Sequence, residues 1–206
     1  MMKNLFFALA MLFPAVALAT EDGGGLVGNG GRGVICRENG ENRHYSLDLW
    51  ESENWYDTHV VRNHDSVDGQ IQAAALRLEG LDANYATAFR LAMLEVEAHR
   101  DPLLSRTRLR PIPDGTASVE GSNCSEYQVA GYFDQFDQER LRYHEGFFNR
   151  MPRTDQAALW THEAIYKMER DYFDATDSDH TRFVVGLLFS NPDARLTADE
   201  LYRDGL

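Results

Sequence analysis

The chain contains only two cysteines, Cys36 and Cys124, and 88 positions separate them. A reducing compartment would leave them as buried thiols, whereas an oxidising one favours a single disulfide. Redox-active pairs usually have short spacings such as C-x-x-C, which this pair lacks. A bond that closes such a long loop stabilises a fold by at most about 4–5 kcal/mol in the chain-entropy picture. The cysteines therefore predict a disulfide that joins an early segment of the domain to a late one.

The first nineteen residues indicate an oxidising compartment. Lys3 precedes an apolar run from Leu5 to Leu18, and the segment ends in Ala17-Leu18-Ala19, the small-x-small pattern that signal peptidases cleave after. Pro14 interrupts the run, which is shorter than the roughly twenty residues of a membrane-spanning helix. We therefore expect cleavage after Ala19 and a periplasmic or secreted product, with no membrane span in the mature chain.

Length and charge limit the domain organisation and the partners. With residues 1–19 as signal peptide and residues 20–33 as a flexible leader with seven glycines, residues 34–206 are long enough for one domain. The leader precedes a strand, which is the wrong order for a glycine-rich phosphate loop. The formal net charge of −13 disfavours nucleic acid and anionic lipid as partners. An unidentified protein or small molecule is the expected partner.

The hydrophobic patterns predict strands, then helices, then strands, then helices. An Asn39-Gly40 turn joins strands at 34–37 and 44–50 into a hairpin. Apolar residues three and four positions apart predict two helices between 67 and 99, with Asp82 capping the second. The later elements are strands within 117–133 and 140–145, helices at 155–172 and 183–189, and a short helix that begins with a Thr197–Glu200 capping box. This order predicts a single α+β domain in which a small antiparallel sheet packs against helices.

One motif has chemical content, the helical segment His162-Glu163-Ala164-Ile165-Tyr166. In zinc peptidases, H-E-x-x-H places two imidazoles one helical turn apart, and the glutamate acts as general base for the metal-bound water. Here Tyr166 occupies the second histidine position, and a phenol with an ordinary pKa of about 10 is a poor zinc ligand. Asp174–His180 offers further oxygen and nitrogen atoms, but it is also typical of a polar loop and does not fit the calcium-loop pattern.

Two hypotheses follow for this motif. In the first, the helix belongs to the core, His162 and Glu163 make internal hydrogen bonds, and the chain is an exported binding or envelope-associated accessory protein without a cofactor. In the second, the chain is a zincin-like metal-dependent hydrolase in which His162 binds zinc and Glu163 is the catalytic base. Neither a serine-nucleophile motif nor a free cysteine favours another kind of catalysis.

The chain resembles a group of uncharacterised exported bacterial proteins that have a signal peptide, a GNGG leader, two cysteines and a C-terminal HEAIY helix. The residues that carry the resemblance are Gly28-Asn29-Gly30-Gly31, Cys36, Cys124, Gln128-Val129-Ala130, His162 to Tyr166 and Leu188-Phe189-Ser190. The resemblance implies export and a shared architecture, and it supports pairing Cys36 with Cys124. It also implies that tyrosine is the ordinary residue at position 166. It assigns no activity.

Overall fold

The computed structural model describes residues 25–63, 65–103, 109, 111, 114, 119, 123–135, 138–191 and 196–202. The predicted signal peptide and residues 20–24 of the predicted leader lie outside this part of the chain. Among the described helices, none has the length and apolar character needed to cross a bilayer.

The described residues form two sheets and a set of helices. The strands are β1 (Gly25–Asn29), β2 (Arg32–Glu38), β3 (Glu41–Ser46), β4 (Arg100–Leu103), β5 (Cys124–Gln128), β6 (Ala130–Gln135) and β7 (Gln138–His144). The helices are α1 (Leu47–Asn54), α2 (Val67–Leu81), α3 (Ala83–His99), α4 (Glu145–Phe148), α5 (Arg153–Phe173), α6 (Asp179–Leu188) and a final 3₁₀ turn (Asp199–Tyr202). One sheet has the strand order β1-β6-β7-β4 and the other has the order β3-β2-β5.

The α+β class is confirmed, but the sheet differs from the prediction in two ways. The strands form two sheets instead of one, and β4 runs parallel to β7 while the other pairs are antiparallel. A parallel pair needs a long connection, and the chain between β4 and β7 provides it. The predicted disulfide is also confirmed: Cys36 and Cys124 occupy opposing positions of β2 and β5, and the described part of the chain has no free cysteine.

The predicted hairpin forms, but its second strand is shorter than expected. Asn39 and Gly40 have φ angles of 51° and 85°, which suit the tight turn between β2 and β3. The strand predicted over 44–50 ends at Ser46, whose Oγ accepts a hydrogen bond from the Leu49 backbone N–H and caps α1. The prediction of strand beyond Ser46 is therefore wrong, because the alternating leucines belong to a capped helix that is buried on more than one side.

Part of the predicted flexible leader is packed structure, and that prediction is wrong for residues 25–33. Strand β1 pairs with β6, and Gly31 lies against α5. A Cβ atom on Gly31 would lie 2.3 Å from Leu159 Cδ1 and 2.9 Å from Glu163 Oε1. Glycine at this position therefore allows a close approach between backbone and helix, a requirement that composition alone does not reveal.

Helix α5 is the centre of the domain. It contacts α1, α2, α3, α6 and β3, and it separates two apolar clusters. The larger cluster joins α2, α3 and α6 to the four-stranded sheet, and the smaller one lies between α5 and the other sheet. The two predicted helices between 67 and 99 are confirmed, with Asp82 Oδ1 accepting hydrogen bonds from Asn84 and Tyr85 N–H.

Two glycine-to-alanine substitutions test the close packing at Gly31. Gly31→Ala should lower the free energy of unfolding by about 1–3 kcal/mol, because its Cβ must displace Leu159 and Glu163. The matched control is Gly80→Ala in α2, where a Cβ meets nothing within 4 Å and should raise stability by up to about 1 kcal/mol. Urea denaturation measures both. Equal stability of Gly31→Ala and the wild type would contradict the packing described for residues 30–33.

Candidate functional site

The HEAIY segment lies in the interior, at the middle of α5. His162 and Glu163 are exposed by 1% and 0%, respectively. Neighbouring residues of a helix project about 100° apart. The two side chains therefore contact different segments of the chain, His162 on the α1 side and Glu163 on the side of the β1–β2 junction.

His162 forms an ion pair with Asp48 in the first turn of α1. Its Nδ1 lies 2.6 Å from Asp48 Oδ1, and Asp48 is 1% exposed. Burial by itself lowers the pKa of His162, but the charge of Asp48 and its hydrogen bond outweigh burial and raise this pKa to about 9. At neutral pH the imidazole is therefore a cation that holds α1 against α5.

Glu163 holds the junction between β1 and β2. Its Oε1 accepts a hydrogen bond of 2.5 Å from the Gly31 backbone N–H. Burial raises the pKa of Glu163 to about 7, and the charge of His162 and the Gly31 hydrogen bond offset only part of this rise. The carboxyl is therefore divided between its neutral and ionised forms near neutral pH.

A second buried cation continues this network from α6. Arg182 is 3% exposed, and its guanidinium donates to Glu51 Oε2 at 2.9 Å and to Asp114 Oδ2 at 3.1 Å. Asp114 also accepts a hydrogen bond of 2.7 Å from the Ser178 backbone N–H. Burial raises the pKa of Glu51 to about 7, although the charge of Arg182 opposes this. The interior network thus joins α1, α5, α6, Gly31 and Asp114, and we call it the charge centre.

Several polar atoms of the charge centre have no hydrogen-bond partner among the described residues. These atoms are Asp48 Oδ2, Glu51 Oε1, His162 Nε2 and Glu163 Oε2. A buried carboxylate oxygen without a donor destabilises the ionised form. This deficit agrees with the raised pKa values of Glu51 and Glu163.

The structure brings Tyr166 close to His162 but does not complete a metal site. The two ring centroids are 6.0 Å apart, and burial raises the pKa of Tyr166 to about 12, so the phenol keeps its proton. Within the described ranges, no group of three histidine, cysteine or carboxylate side chains is placed to hold one ion. His162 and Glu163 are therefore brought together with Tyr166, Asp48 and Asp114, but the described residues do not form a set of zinc ligands.

The polar run Asp174–His180 follows α5. Its histidine, His180, does not belong to the charge centre. His180 uses both ring nitrogens, with Nδ1 2.7 Å from Glu169 Oε1 and Nε2 2.8 Å from the Glu200 carbonyl oxygen. Asp179 instead pairs with Arg182. Among the other histidines, His144 Nδ1 accepts a hydrogen bond of 3.0 Å from the Phe147 N–H, which serves the start of α4.

Asp48, Glu51, Asp114 and Arg182 were not identified from the sequence as members of a site. Asp48 falls within the predicted strand 44–50, where alternation places a polar residue toward solvent, and Glu51 directly follows that segment. Arg182 offers the one usable signal, because it directly precedes the apolar run Phe183–Phe189. A charged residue at the start of a buried helix requires a buried partner.

A groove of about 430 Å³ lies on the surface, on the disulfide-bearing face of the smaller sheet. The bonded cysteines form part of its wall, and α1 contributes Trp50 from the other side. Six of the residues that line it are Cys36, Cys124, Arg43, Tyr45, Trp50 and Arg62. The groove shares no lining residue with the charge centre, so the two features are separate candidate sites.

The chain matches no protein family, no curated protein and no solved structure. The resemblance to exported bacterial proteins therefore stays a prediction.

The protonation of His162 predicts how stability depends on pH. Because its folded pKa of about 9 exceeds the ordinary value of 6.5, the folded chain holds this proton more tightly than the unfolded chain does. The stabilisation is complete below pH 6.5 and is lost as the pH rises through 9. Urea denaturation should therefore give a wild-type free energy of unfolding that falls between pH 7 and 9.5.

In His162→Gln the fall over this pH range should become shallower, and stability at pH 7 should drop by about 3 kcal/mol because Asp48 loses its partner. His59→Gln is the matched control, since His59 is exposed, and it should keep the wild-type profile. Identical pH profiles for His162→Gln and the wild type would contradict the ion pair.

Proposed function

We propose that the chain is an exported, disulfide-tied binding protein that takes up a small molecule and does not catalyse a reaction. The observation that supports this most is the separation of the two candidate sites. His162 and Glu163 are turned inward and hold the domain together, whereas the groove beside Cys36 and Cys124 is open to ligands.

The internal role of the HEAIY residues is the first support. Glu163, which a zinc hydrolase would use as a base near the metal-bound water, is fully buried and bonded to the backbone at Gly31. A general base must reach the proton that it removes. His162 carries a proton at neutral pH, so a metal ion would have to compete with that proton as well as with the Asp48 contact.

The groove is the second support. Its volume of about 430 Å³ lies within the range of roughly 300–1,000 Å³ that is common for small-molecule sites. The disulfide joins β2 to β5 at the groove wall, so the wall is fixed before a ligand arrives. A pre-formed wall lowers the entropy cost of binding. An oxidising compartment, as the signal-like N-terminus predicts, is one in which such a bond persists.

One observation favours the zincin-like hydrolase as a second candidate. A metal-binding histidine commonly gives one ring nitrogen to a carboxylate and the other to the metal. Asp48 occupies the first of these positions, and His162 Nε2 has no partner among the described residues. In this candidate function His162 is the zinc ligand and Glu163 is the base.

Metal content and one isosteric substitution separate the two functions. The binding proposal expects purified, chelator-free protein to contain far less than one zinc per chain by elemental analysis. It also expects Glu163→Gln to fold with stability within about 1 kcal/mol of the wild type at pH 7, because the amide oxygen can still accept from Gly31.

Stoichiometric zinc that disappears in His162→Gln would overturn the cofactor-free binding proposal and support the zinc site at His162 that the hydrolase candidate requires. His59→Gln serves again as the control, and its zinc content should equal that of the wild type.

A further inference from the structure

We propose that the groove beside the Cys36–Cys124 disulfide is a site for an uncharged oligosaccharide. This inference rests on the proposed binding function and adds the chemical class of the ligand. It follows from three properties of the groove: aromatic side chains in its lining and next to it, charged side chains of which four form two pairs, and a concave shape of small-molecule size.

Aromatic side chains lie in the lining of the groove and next to it. Tyr45 and Trp50 line it, and Trp55 packs edge to face on Trp50 with the ring centroids 6.2 Å apart. Trp55 is 42% exposed, although it is a large apolar residue. A sugar ring has an apolar face of C–H groups, and a flat aromatic ring offers a matching surface. The indole and phenol rings therefore supply the apolar half of a sugar site.

Two more exposed apolar side chains follow Trp55 in the chain. Tyr56 and Val61 are 46% and 45% exposed, and both belong to the loop that connects two lining residues, Asn54 and Arg62. Large apolar side chains gathered next to a concavity are typical of a binding surface. Tyr56 packs edge to face on Phe183 of α6, with the ring centroids 5.5 Å apart, so the link between this loop and the groove is Trp55, which packs on the lining residue Trp50.

Four of the five charged side chains that line the groove form pairs. Glu38 accepts from the Tyr45 hydroxyl at 2.9 Å and lies 3.5 Å from Arg43 Nε. On the other wall, Arg62 donates to Glu53 Oε1 at 2.7 Å, and its guanidinium lies over the Tyr45 ring at 5.4 Å. Pairing leaves no strong demand for a charged ligand and places guanidinium donors beside carboxylate acceptors. Vicinal hydroxyls of a sugar satisfy such groups.

Arg37 also lines the groove, as a third arginine beside the two Arg–Glu pairs. It follows Cys36 on β2, and successive side chains of a strand project to opposite faces. Its side chain therefore leaves the backbone on the face opposite that of Cys36. The chain as a whole carries a net charge of −13, which further disfavours an anionic ligand.

The shape of the groove argues against a folded protein as its occupant. A stable protein interface buries roughly 800 Å² on each partner over a broad surface. A concavity of about 430 Å³ that is framed by a disulfide fits a chain of a few rings better than such a surface.

Titration with defined tetrasaccharides tests the inference. The neutral probes are the tetramers of β-1,4-linked N-acetylglucosamine, β-1,4-linked glucose and α-1,4-linked glucose, and the charged probe is the tetramer of galacturonic acid. Calorimetry gives the affinity, and tryptophan fluorescence reports contact because Trp50 and Trp55 flank the groove. We expect at least one neutral tetramer to bind and to change the fluorescence, and the galacturonate tetramer to bind at least tenfold more weakly.

Two substitutions locate the binding. Trp55→Ala removes a partly exposed ring and should weaken binding of the neutral tetramer at least tenfold while the protein stays folded, as its circular dichroism spectrum would show. Tyr172→Ala is the matched control, because Tyr172 is 68% exposed and lies twenty residues along α5 from the groove residue Pro152. This separation is about 30 Å. The affinity of Tyr172→Ala for the neutral tetramer should equal that of the wild type.

The outcomes distinguish this inference from the function on which it rests. Preferential binding of the galacturonate tetramer, or neutral binding that Trp55→Ala leaves unchanged, overturns the inference. If no tetramer binds but a fragment library yields a ligand whose binding requires Trp55, the sugar assignment fails and the binding function stands. If neither tetramers nor fragments bind at Trp55, both fail.

Discussion

The domain depends on two buried contacts that adjacent residues of one helix make in different directions. His162 pairs with Asp48 at the start of α1, and Glu163 accepts a hydrogen bond from Gly31 at the entry to β2. These contacts connect residues 114 and 132 positions apart in the chain. Together they set where the hairpin and α1 lie against α5, and this placement in turn frames one side of the disulfide-bearing groove.

Burying the charged groups of the charge centre costs free energy. Burying a carboxylate or an imidazolium costs several kcal/mol, and the pairing returns this only when the geometry is good. Arg182 meets this condition with Glu51 and Asp114, whereas the unpartnered oxygens of Asp48 and Glu51 are a remaining cost. A buried charge that loses its partner is far more destabilising than a lost apolar contact. We therefore infer that the charge centre fixes the relative positions of α1, α5 and α6. Any other arrangement of these helices would leave a buried charge without its partner.

The sequence predicted the features that local patterns control. The two helices between 67 and 99, the Asn39-Gly40 turn and the disulfide follow from periodicity, turn chemistry and cysteine count, and all three are present. The end of β3 was missed because Leu47 and Leu49 are compatible with either alternation or a buried helix. The packing of Gly31 was missed because its cause is a contact with Leu159 and Glu163, far away in the chain. His162 and Glu163 stand out in the sequence as a pair, but their partners on α1 and near Gly31 depend on tertiary structure that no spacing rule contains.

The protonation state of His162, observed by nuclear magnetic resonance of the imidazole nitrogens, tests this account most directly. We predict a doubly protonated ring at pH 7 that titrates near pH 9 and whose nitrogen shifts are unchanged by added zinc, with Asp48→Asn lowering the pKa. A ring that is neutral at pH 7, or one whose Nε2 resonance responds to stoichiometric zinc, would contradict the structural role assigned to the HEAIY helix.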